Sequence, residues 1–142
     1  MKLKNTLLLT VGTIFAMTSF VNAEDTAEIL FDAKCASCHS KTRPTDMSTV
    51  VAPALMGVMR HIKMTYPSKD DAVKFMVDYI LEPTKEKAIC MPQKIERFGL
   101  MPSQKGNVTE AELTKITAWM FDNFPPADFR GMGHGNRKGQ GK

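Results

Sequence analysis

Cys35-Ala36-Ser37-Cys38-His39 decides how the rest of this chain is read. On a helix, positions three and four apart share a face, so two thiols and an imidazole can meet one flat partner from the same side. The spacing C-x-x-C-H is that of covalent haem attachment: the thiols join the two vinyl groups on one edge of the macrocycle, and an imidazole nitrogen faces the iron. With three cysteines and three histidines in 142 residues, chance would produce the string in roughly one such chain in a thousand. A dithiol redox centre would need a βαβ setting, and half of a zinc site would need a second ligand pair at metal spacing. The sequence offers neither. One covalent haem c on Cys35, Cys38 and His39 is the expectation.

Upstream, Asp25 or Thr26 can cap a helix that runs through Ile29, Leu30, Phe31 and Ala33 to the cysteines. The chain itself opens Met1-Lys2-Leu3-Lys4, continues apolar from Leu7 to Phe20, and reaches Val21-Asn22-Ala23. A basic start, a short apolar middle and an alanine at the cleavage position make a secretory signal over residues 1–23. An apolar run of about 14 residues is short of the roughly 20 that cross a bilayer. The expected exported form begins at Glu24, spans no membrane and resides in the periplasm. An oxidising compartment rarely leaves thiols unused, and three cysteines cannot all pair with one another. Two bound to a cofactor, with Cys90 buried, reduced and outside the attachment, fits; a Cys90–Cys90 dimer is the alternative.

Downstream, Ser68-Lys69-Asp70-Asp71 resembles a capping box, and Val73, Met76, Val77, Ile80 and Leu81 follow with helical spacing until Pro83. Thr109-Glu110-Ala111-Glu112 is a second capping box, opening a helix with Leu113, Ile116, Met120, Phe121 and Phe124 on one face and Pro125-Pro126 at its end. No run alternates with the period of a strand. The stretches 40–67 and 83–108 read as long connections, unusual in a small domain unless they have work to do. Wrapping a haem would be such work. The fold class expected is all-α: a small haem-wrapped domain over residues 24–129, with three or more helices and long loops.

The formal charge is +4. Without residues 1–23, which hold Lys2 and Lys4, 17 basic side chains face 15 acidic ones. That balance excludes a nucleic-acid binder built on charge. Arg130, Arg137, Lys138 and Lys142 lie in a tail of five glycines and no acid, expected to be disordered because it has little to bury.

These residues together resemble a class I (mitochondrial-type) cytochrome c, over most of 24–124 and only loosely from Met59 to Gly99. In that family a Gly-Pro-x-Leu-x-Gly segment follows the attachment site, and its proline carbonyl accepts the second N–H of the haem histidine. Ala52-Pro53-Ala54-Leu55-Met56-Gly57 is the matching stretch. The resemblance therefore implies that Pro53 fixes His39, as outer-shell partners of a metal ligand do, and that Leu55 packs on the haem. Ala52 departs from the family's glycine. The family's sixth ligand is a methionine before the last helix, commonly followed by proline, which implies Met101 in Leu100-Met101-Pro102. Met91-Pro92 is a near copy ten residues earlier, and His61 or an open position is the remaining choice. His61 otherwise reads as an ordinary surface or partly packed histidine.

The resemblance implies an electron-transfer protein and not an enzyme. Its redox partners would be a quinol-oxidising complex on one side and a terminal oxidase, peroxidase or reductase on the other. Two alternatives stay open: a haem subunit of a larger redox complex, and a gas-binding or peroxidase-like protein with an open sixth position. Lys34, Lys41, Arg43 and Lys105 flank the haem segments and could steer an acidic partner. Phe31 and Trp119 lie on the two terminal helices, which cross in that family.

Overall fold

The structure is a computed structural model that describes residues 23–129. The expected signal, save Ala23, and the glycine-rich tail 130–142 lie outside the described residues. Five helices form: α1 (Ala23–Lys34), α2 (Leu55–Thr65), α3 (Lys69–Leu81), α4 (Pro92–Phe98) and α5 (Glu110–Asn123), with a short 3-10 turn at Met47–Thr49. Among the described residues there is no strand, and Lys105 and Val108 make an isolated bridge. The fold is all-α.

α5 organises the packing, against α3 and α1 extensively and against α2 more lightly. Its capping box is complete. Thr109 Oγ1 accepts from the Glu112 N–H, and Glu112 Oε2 accepts in return from the Thr109 N–H at 2.8 Å. Leu113, Ile116 and Met120 are buried as their spacing requires. So is Thr117, whose own hydroxyl is satisfied by donating to the Leu113 carbonyl at 2.7 Å. Phe31 of α1 meets Trp119 of α5 with ring centroids 5.4 Å apart. Thr109→Ala should lower unfolding stability by about 1 kcal/mol; thermal unfolding followed by far-UV circular dichroism measures it.

Ser68 sits at the N-cap of α3, yet its side chain makes no capping hydrogen bond, so that expected capping box does not form. Aspartates at 70 and 71 still face the positive end of the helix dipole. Asp25 and Thr26, the expected caps, lie within α1.

The two stretches expected to be connections each contain a helix. α2 has no side-chain cap, because Ala54 stands at the N-cap, and Gly57 lowers its intrinsic propensity. Burial outweighs both: Leu55, Met59 and Ile62 are almost fully enclosed, each contributing about 1.5–3 kcal/mol. α4 begins with Pro92 at its first position and ends at Gly99, whose φ of 75° suits glycine.

Candidate functional site

α1 stops at Lys34, one residue short of the first cysteine. The C-x-x-C-H segment therefore lies in turns just beyond the helix. Hydrogen bonds continue the helical spacing there: Cys35 N–H donates to the Phe31 carbonyl at 2.8 Å, and the N–H groups of Cys38 and His39 donate to the Cys35 carbonyl at 3.1 and 3.0 Å. Cys35, Cys38 and His39 consequently border the same cavity.

His39 Nδ1 lies 2.8 Å from the Pro53 carbonyl oxygen. A carbonyl can only accept, so Nδ1 carries the hydrogen, and in the neutral ring Nε2 then has the lone pair. That is the tautomer a metal needs. A second clamp lies beside it, where the Leu55 N–H donates to the Ser40 carbonyl at 2.9 Å. Lys41 strengthens this corner through ion pairs to Glu28 and Asp32 of α1, at 2.7 and 2.8 Å.

The cavity lies inside the helices. α2 presents Leu55, Val58, His61 and Ile62 to it, and α3 presents Phe75, Met76, Tyr79 and Ile80. Ile89 and Cys90 precede α4, which adds Lys94, Ile95 and Phe98. Leu100, Met101 and Pro102 close one wall, and Leu113 and Met120 of α5 form another. All six residues expected at the site, Cys35, Cys38, His39, Pro53, Leu55 and Met101, line this space. Met91 is 47% exposed, caps α4 and is not among the lining residues.

The Met101 segment is held from outside. Gln104 N–H donates to the Ile80 carbonyl at 3.0 Å, the Ser103 hydroxyl donates to the Leu81 carbonyl, and Lys105 pairs with Glu82. Lys105 draws the Glu82 carboxyl below its ordinary range, first by hydrogen bonding and then by its charge.

His61 and Cys90 have surroundings other than those expected of them. His61 is half-buried on α2, one turn beyond Val58 on the same side; recognising α2 as a helix would have placed it. Cys90 is half-buried rather than enclosed, and it makes no disulfide with another described cysteine. Burial pushes its thiol upward, partly offset by Lys94.

The chain is 32% identical over 75 residues to an uncharacterized protein of Aquifex aeolicus (strain VF5), a match covering 53% of this chain and 49% of the other. The chain thus spans about half the length of that relative. No family model matches the chain, and no solved structure does.

The thiols argue against a dithiol redox centre. Burial, and then the neighbouring Cys38, push the Cys35 thiol up to about 11. The pair follows the C-terminal end of α1, where the helix dipole disfavours a thiolate, whereas activated thiols sit at helix N-termini. A zinc site finds no support either: among the described residues no three His, Cys, Asp or Glu side chains form a metal-holding group.

Three of the four cations expected to steer a partner are engaged within the chain. Lys41 and Lys105 are in ion pairs, and Lys34 Nζ donates to the Asn107 carbonyl at 2.8 Å. They serve as ties between segments. A second groove, between α3 and the start of α5, carries Asp70, Asp78, Glu82 and Glu110 beside Lys74 and Lys105. Asp78 and Glu82 are already paired with lysines.

No described helix is long and apolar enough to cross a membrane.

Proposed function

We propose that this chain is a periplasmic one-electron carrier of the class I cytochrome c kind, with a single covalent haem c whose iron His39 and Met101 would ligate. The observation that carries the reading is the convergence on one apolar cavity of Cys35, Cys38, an Nδ1-protonated His39 and Met101. The donor set suits the group: two thiols for covalent attachment, an imidazole nitrogen with its lone pair free, and a thioether. Bound there, haem c supplies an iron that takes up and releases one electron at a time.

The residues of the chain have separate tasks. Cys35 and Cys38 retain the group, and Pro53 orients the His39 ring through its carbonyl. Leu55, Ile62, Leu113 and Met120 exclude water, which favours the less charged form of a bound redox centre. Met101 would offer its thioether to the iron, which would favour the reduced state and exclude other ligands. The partners follow from the resemblance: a quinol-oxidising complex as donor, and a terminal oxidase, peroxidase or reductase as acceptor.

His61 supports a second reading. A polar ring within the cavity is what a gas-binding or peroxidase-like protein would use beside an open position. The optical spectrum of the purified protein separates the two. A carrier should refuse carbon monoxide in the ferrous state without denaturant. Rapid binding would transfer the assignment to the second reading, and a protein without a haem spectrum would defeat both.

A further inference from the structure

Among the described residues no carboxylate lines the cavity, although two lysines do: Lys34 from the end of α1 and Lys94 from α4. Lys34 is engaged, donating to the Asn107 carbonyl at 2.8 Å. Lys94 has no ion pair among the described residues. Its Nζ stands 5.7 Å from the centroid of the Phe98 ring, a contact that contributes only about 0.5–1 kcal/mol.

The other titratable groups facing the cavity are His39, His61 of α2, Tyr79 of α3, and the thiols of Cys35, Cys38 and Cys90; α5 brings only apolar side chains. None of these groups is a carboxylate. Burial holds the Tyr79 hydroxyl and the Cys90 thiol protonated. A half-buried cation at an apolar wall is better stabilised by an opposite charge than by a ring face. The wall provides no such charge, so the occupant must bring it.

We infer that Lys94 holds a carboxylate of the group bound in this cavity. The inference rests on the haem reading, since haem c carries two carboxylate side chains on an otherwise apolar ring. It makes Lys94 a positioning residue, one that orients the ring and keeps the carboxyl ionised.

The test uses holoprotein whose haem carboxyls are labelled with carbon-13. The infrared band of the labelled carboxylic acid is then followed as the pH is lowered. The label reports the haem carboxyls alone, so His39 and His61 do not contribute. In Lys94→Gln one carboxyl should protonate about 1–3 pH units higher than in the unaltered protein, the shift expected when a neighbouring cation is lost. Lys94→Arg should restore the original midpoint, and Lys34→Gln should leave it in place. An unmoved midpoint in Lys94→Gln, an equal shift in Lys94→Arg, or the shift appearing in Lys34→Gln overturns the inference while the haem reading stands. Protein that carries no covalent haem overturns both.

Discussion

Replacing Cys35 and Cys38 together by alanine is expected to leave a chain that no longer stains for haem after denaturing electrophoresis. The effect should be all or none, because no other described pair of thiols flanks a histidine at this cavity. Each single replacement should weaken retention, leaving one thioether in place of two. Cys90→Ala supplies the control. That thiol lines the cavity but belongs to no attachment motif, so its removal should leave the stain at full intensity. Full staining of the double variant would defeat the proposal of covalent attachment. Loss of stain in Cys90→Ala alone would mean that the third cysteine had been assigned wrongly.

Met101→Ala should keep the covalent haem and change nearly everything else about it. The weak red band that sulfur ligation gives to ferric protein should disappear. The potential should fall by on the order of a hundred millivolts or more, within the roughly 0.8 V that axial ligands span. Carbon monoxide and cyanide should bind where the unaltered protein refuses them. Met91→Ala should do none of this, as its side chain is 47% exposed at the cap of α4 and away from the cavity. His61→Ala is the more demanding comparison, because that ring does face the cavity. It should leave the red band in place. A band that survives Met101→Ala and vanishes in Met91→Ala or His61→Ala would reassign the sixth ligand.

How much of this was readable beforehand depends on the kind of signal. Thr109 and Glu112 announced α5 because capping is local chemistry, and both of its hydrogen bonds are present. α2 was read as a connection because Ala54 cannot cap, and Gly57 interrupts the run. What makes α2 a helix is the burial of Leu55, Met59 and Ile62, and burial is tertiary. α4 did carry local marks, Pro92 at its start and Gly99 at its end. Met91-Pro92 also matches the Met101-Pro102 pair, so the same proline fits two roles, and the sequence alone does not separate the helix opener from the ligand motif. At the site, the motif placed Cys35, Cys38 and His39, and the family resemblance placed Pro53, Leu55 and Met101 at one cavity. Neither reached Lys94 or the cavity-facing position of His61, since both depend on helices that were not foreseen. The unformed cap at Ser68 shows the opposite limit, a correct helix whose expected reason is missing.

The polar ties around Met101 leave that wall of the cavity easier to open than the helices behind it. Those helices are held by Phe31 of α1 and by Leu55, Met59 and Ile62 of α2, all nearly fully enclosed. From Gly99 to Asn107 no residue is buried, and the segment hangs from the end of α3 by the Gln104, Ser103 and Lys105 contacts. Segments with few buried apolar contacts and water-exposed hydrogen bonds open at a small fraction of the global unfolding free energy. Excursions of the native chain should therefore lift the Met101 segment at a small fraction of what it costs to part the helices behind it. Each such opening admits solvent and small molecules to the interior from that side.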